Sequence, residues 1–300
     1  MFCKIEVNTW NDAILLNNLL TSKSPIWAFR GQSDSSWSLQ TTFEREGQKH
    51  KLDTYFYKTC EANIITDFKR QALQHIQNAP DKENIIDWLA YIQHYGGPTR
   101  LLDFTYSFFV ASFFSLNSAT CNSSIWSINV NNLISQNDQF KSLLFEQGYR
   151  DTLNKFVDTA NENVLNNQDF SSIQKKGNIY LVEPYNQEQR LAIQQGFFLF
   201  PTEIELPFAN NLCGAFNTDE TKLSHDNLEP KTFDDLINLK GENISIVKIV
   251  LNSSMIYEAI NQLRSMNISN ATLFPGLDGF AKSLNFHFQD MCWSITRPKL

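Results

Sequence analysis

Apolar runs short enough to be strands alternate in this chain with helical patterns of irregular length, and that irregularity limits the fold more than any other feature. The runs are PIWAFRGQ (25–32), TRLLDFT (99–105), SSIWSINV (123–130), GNIYLVEPY (177–185), GFFLF (196–200) and ISIVKIVL (244–251). A doubly wound sheet would repeat strand and helix at steady spacing. Dispersed strands instead point to an α+β fold, one mixed-sheet domain over residues 1–300 with helices before and between strands. Helical spacing marks residues 8–22, 52–79, 81–95 with Asp81 as its cap, 107–117 and 253–266, and a last helical stretch closes the pattern over 272–285. Residues 131–176 are rich in Asn and Gln but keep a helical pattern over 140–157, which reads as an accessory helical insertion. No internal repeat is present.

The most apolar window, FTYSFFVASFFSL, is shorter than the ~20 residues of a spanning helix, so it reads as a buried helix with no membrane role. The N-terminal segment lacks the basic residues and unbroken apolar core of a signal peptide, and a cytoplasmic location is expected. Five scattered cysteines without CxxC or Cys/His spacing fit a reducing compartment and give no metal site. With 25 basic and 32 acidic residues the formal charge is -7, which excludes the global electrostatics of a nucleic-acid coat while leaving room for a local basic cleft.

Polar chemistry concentrates in two segments. WAFRGQ ends a strand on Phe29, Arg30, Gly31 and Gln32, where a planar guanidinium fork suits a phosphate, a carboxylate or a buried aspartate. Gly31, lacking a Cβ, permits close approach of another group. QHYGGPTRLLDFT brings His94, Tyr95, Thr99, Arg100, Asp103 and Thr105 into thirteen residues. On a strand Arg100 and Asp103 face opposite ways, so Asp103 is free to accept from Arg30 or from amides near Thr105. His94 suits a helix C-terminus as a cap or a ligand contact. Further on, Arg190 and the Gln194-Gln195 pair precede Gly196, and Glu203 and Glu205 share a strand face, readable as an acid pair or as solvated alternation. No Walker A loop, GxGxxG, HExxH, GxSxG or DxDxDG is present.

FRGQSDSSWSL, QHYGGPTRLLDFT with VASFF behind it, QRLAIQQGFFLF and LFPGLDGFAKSL occur in this order, and together they resemble the FRG domain family, named for its Phe-Arg-Gly motif. The resemblance runs from Trp27 to Leu284, with Gly97 where Leu is frequent and Phe104 where Trp is frequent. It implies a bacterial protein of mobile elements, a toxin or a component of conflict or phage-defence loci. The layout also resembles that of NAD-using ADP-ribosyltransferases. That second resemblance implies NAD as substrate rather than as a permanent cofactor. Arg30 would sit on its phosphates or ribose, and Thr105 and Ser107 would support the nicotinamide. A later carboxylate would orient the ribose 2′-OH. Gln194 or Gln195 stands where that Glu is expected, so Asp103, Glu203 or Glu205 substitutes, or the site binds without turnover.

Alternatives are a non-enzymatic module that recognises a nucleotide or phage component, and an RNA-directed nuclease using His94 with Arg30 and Arg100. The macromolecular target, protein or nucleic acid, and the oligomeric state are not specified by the residues. Arg30, Gly31, His94, Arg100, Asp103, Thr105 and Gln195 are expected to converge on one cleft.

Overall fold

A computed structural model describes residues 1–76, 79–165, 177–185, 189–219, 222–223, 228–240, 244–288 and 290–291. Strand β1 (Phe2–Val7) alternates inward Cys3, Ile5 and Val7 with Phe2, Lys4 and Glu6. Helix α1 (Trp10–Lys23) follows, started by the Thr9 hydroxyl accepting the Asp12 N–H. Next come β2 (Trp27–Gln32), α2 (Thr42–Lys49), α3 (Tyr57–Ala72), α4 (Ile85–His94), β3 (Leu102–Thr105), α5 (Phe108–Leu116) and β4 (Ser123–Asn129). Asn84, rather than Asp81, caps α4 by accepting the Asp87 N–H, while Asp81 accepts the Glu83 N–H in the turn before it.

The expected insertion folds as α6 (Val130–Ser135), α7 (Asp138–Glu146) and α8 (Tyr149–Leu165), and its remainder, 166–176, lies outside the described residues. These helices are core material: Phe140 and Phe156 pack ring to ring at 3.9 Å and both reach Tyr180 of β5 (Ile179–Val182). The chain continues through α9 (Gln189–Ile193), β6 (Gly196–Pro201), α10 (Phe208–Ala215), β7 (Glu229–Pro230), α11 (Phe233–Ile237), β8 (Ile246–Leu251), α12 (Ile256–Ser265), α13 (Asn270–Leu273) and α14 (Leu277–Ser283).

All eight strands join one mixed sheet in the order β5-β6-β3-β2-β4-β8-β1-β7. β1 pairs in parallel with β8 and β7, and the remaining pairs are antiparallel. The fold is α+β. Its central strands are apolar on both faces, because α1, α5 and α12 cover one side and the helices around α4 and α8 the other. Among the described residues, no helix is long and apolar enough to cross a membrane.

One irregularity in this sheet makes the site. β2 pairs with β4 along its whole length, but meets β3 only at Phe29 opposite Thr105. Beyond that point the two strands part, leaving Arg30–Gln32 and Leu102–Phe104 without each other as ladder partners.

Candidate functional site: an arginine-lined cleft where the sheet parts

The gap between β2 and β3 opens into a cavity of about 840 Å³. Arg30 spans it. Its Nη1 donates to the Asp103 carbonyl at 2.8 Å and stands 3.6 Å from the Asp103 carboxylate, replacing part of the missing ladder with a side-chain brace. Its Nε is buried with no hydrogen-bond partner. Burial pushes the Arg30 guanidinium below its ordinary value, opposed by the Asp103 charge, yet an arginine starts so high that it stays ionised.

Gly31 is required by packing. A Cβ there would lie 2.0 Å from the Ala111 carbonyl, so the close approach it permits is that of the α5 backbone, which floors the cleft. Gln32 holds the following loop: its amide donates to the Ser38 carbonyl at 2.9 Å and its carbonyl accepts the Trp126 indole N–H at 2.8 Å. Asp34 tightens the same loop by accepting the Ser36 N–H and hydroxyl at 2.8 and 2.7 Å. The loop carries Trp37, 53% exposed, to the rim.

The opposite walls come from α2 and α9. Thr41 and Glu44 form a reciprocal capping box that starts α2, and Arg45, next in line, turns into the cleft while bonding the Gln40 carbonyl at 2.9 Å. Arg190 of α9 lies 4.3 Å over the ring of Phe274, which also packs edge-on against Phe114. Gln194 lines the cleft too, its amide fixed on the Leu273 carbonyl at 2.9 Å. Among the described residues, neither Arg45 nor Arg190 has a carboxylate within ion-pair distance. Among the described lining residues, three guanidiniums against the carboxylate of Asp103 leave two positive charges in excess, although the whole chain is at -7.

The expected convergence is partial. Phe29, Arg30, Gly31, Gln32, Asp103, Thr105, Arg190 and Gln194 line the cleft. His94 stands in a recess beside it, sharing Asp103 and Arg190 as a common wall. Tyr95 is exposed and edge-on to His94. The Thr105 hydroxyl donates to the Gln194 carbonyl at 2.7 Å and Ser107 caps α5 on Val110, so both tie elements together. Thr99 anchors α2: its carbonyl accepts the Phe43 N–H and Thr42 hydroxyl at 3.0 Å each. Gln195 turns the chain with φ 48 and gives its carbonyl to the Tyr106 N–H at 3.1 Å, and its side chain does not line the cleft.

Arg100 is a correction. It is buried, paired through both Nε and Nη2 with Glu61, and stacked 5.0 Å over Phe200. Glu203 is buried in that same separate crevice, and Glu205 stands 3.8 Å from Lys58, so neither glutamate reaches the arginine cleft. Arg45, Trp37, Gln40 and Phe114 are lining residues that sequence reasoning missed. Trp37 sits inside the FRGQSDSSWSL motif, and Arg45 follows a legible Thr41-x-x-Glu44 capping pattern, so both carried a local signal.

Separate stretches of the chain, around Arg30, Arg45, Asp103 and Arg190, thus meet at one opening. Residues 25–124 match the FRG domain family, whereas no curated protein and no solved structure matches the chain. Both later motifs lie outside the matched span: 189–200 lines the cleft, and 273–284 backs it, with Phe274 under Arg190 and the Leu273 carbonyl on Gln194. The stretch similar to the FRG domain thus supplies the Arg30, Arg45 and Asp103 side of the cleft, and Arg190 and Gln194 come from sequence that follows it.

Proposed function

We propose that the cleft binds NAD or a closely related nucleotide, and that the protein acts in the bacterial cytoplasm as an effector of conflict or phage defence. The observation that carries the reading is the charge count. A disubstituted pyrophosphate bears two negative charges, matching the excess over Arg30, Arg45, Arg190 and Asp103. Trp37 and Phe114 offer aromatic faces for a base or nicotinamide ring, and the cavity is of a size that encloses a dinucleotide. Asp103 is the carboxylate in the cleft, so it takes the place assigned by resemblance to a strand glutamate. It would orient a ribose hydroxyl and stabilise oxocarbenium character as the nicotinamide-ribose bond breaks.

The nuclease alternative loses Arg100 to Glu61, so one of the two arginines it would set on phosphate is taken by a buried ion pair. A pure recognition module retains one observation in its favour, the glutamine at 194 where a carboxylate is expected. Titration calorimetry with NAD tests the reading. Arg45→Ala and Arg190→Ala should each weaken binding on the order of 10-fold, since each removes a charge-assisted contact from the cleft. NAD bound equally well by both variants would place the ligand elsewhere. Nicotinamide release by the wild type separates an enzyme from a recognition module.

A further inference from the structure

Beside the main cavity lies a recess of about 70 Å³. The two share Asp103, Arg190, Leu191 and Gln194 as a common wall. The far side of the recess is made by Ala90, Gln93 and His94 of α4, and Phe198 of β6 closes it. Asp103 therefore borders both spaces: a large cationic one suited to a nucleotide, and a small one with an imidazole across from it.

Resting on the reading above, we infer that the recess holds the second reactant, and that this reactant is water rather than a side chain of a macromolecule. Size favours water. The recess, small beside the main cleft, has room for a few water molecules of ~30 Å³ each. Asp103 orients the ribose on one side and a water on the other. The water oxygen forms a bond to C1′ as the C1′–N bond breaks. The electron pair of that bond passes to the nicotinamide nitrogen and cancels its positive charge. The proton lost by water goes to the imidazole of His94 and then to solvent. The products are free ADP-ribose, nicotinamide and one proton, which balances the step.

The full chain is incubated with NAD together with methanol, agmatine and a mixed protein and RNA acceptor pool, and products are separated by mass spectrometry. Free ADP-ribose, with methyl ADP-riboside as its small-nucleophile counterpart, is expected, and no ADP-ribosylated agmatine, protein or RNA. Ala90→Leu, which fills the recess, and His94→Asn should each slow nicotinamide release on the order of 100-fold while NAD affinity stays within about twofold. ADP-ribose attached to agmatine or a macromolecule overturns the inference and leaves the NAD reading standing. So does full-rate release by Ala90→Leu. NAD binding without any release ends the inference alone, and absence of NAD binding ends the reading with it.

Discussion

Arg30, Arg45, Arg100 and Arg190 carry the same charge in four different settings, and only the partner tells them apart. Arg30 both braces the sheet and lines the cleft, so its replacement disturbs the two together, whereas Arg45 and Arg190 line the cleft without bridging β2 to β3. Arg100 stands in a polar motif that suggests a ligand contact, but its partner Glu61 is thirty-nine residues upstream on α3. Spacing cannot reveal such a pairing. Because both groups are buried, removing one charge leaves the other uncompensated. Glu61→Gln should cost roughly 3 kcal/mol in urea unfolding, while an Arg100→Met, Glu61→Leu pair costs far less. NAD affinity should not move in either case. Glu61→Gln with normal stability and lost binding would return Arg100 to the ligand site.

Element placement was legible wherever a period ran long enough. β2, α5, β4, β6 and β8 lie where their apolar patterns put them. β1 shows its alternation only over Cys3–Val7, five residues at the very start of the chain and too short a period to stand out. Strand β3 is shorter than TRLLDFT suggests, since Thr99 and Arg100 are committed to α2 and Glu61 before pairing begins. The parting of β2 from β3, which creates the cleft, is a tertiary property invisible in any one segment. Helix α2 then supplies a pH-dependent element. The Glu44 carboxylate accepts the Thr41 N–H at 2.9 Å and the Phe208 N–H at 2.9 Å, yet burial raises its pKa above the usual carboxylate range despite those bonds. A raised folded pKa means that the folded state holds its proton longer than the unfolded chain does. Its contribution is fully present below the unfolded value and is lost as pH climbs through the folded one. Stability should therefore show a decline over that window in the wild type that is missing in Glu44→Gln. The wild-type unfolding free energy should fall relative to that of Glu44→Gln as pH rises, and parallel pH profiles would show that Glu44 titrates alike in both states.

At the scale of the molecule, the span that matches the FRG family does not coincide with a unit that can fold. Residues 25–124 include β2 and β3 but stop two residues into β4. Inside that span the two complete strands meet at a single register pair, Phe29 with Thr105. The ladders that hold them, β4 on one side and β6 on the other, come from later sequence, as does β8, which β4 needs in turn. The insertion is bound in as well, because the Tyr106 hydroxyl donates to Glu183 at 2.8 Å and meets the Tyr149 hydroxyl at 3.0 Å, linking the segment after β3 to α8 and to the end of β5. Two strands paired at one point cannot satisfy their backbone groups or bury both apolar faces. Expressed alone, 25–124 should lack a cooperative urea transition and bind no NAD, despite holding Arg30, Arg45, His94 and Asp103. The full chain should unfold in one transition followed alike by tryptophan fluorescence and circular dichroism. A fragment that melted cooperatively would mean that α2 to α5 form a core without the rest of the sheet, and the cleft would then have to be rebuilt from the matched residues alone.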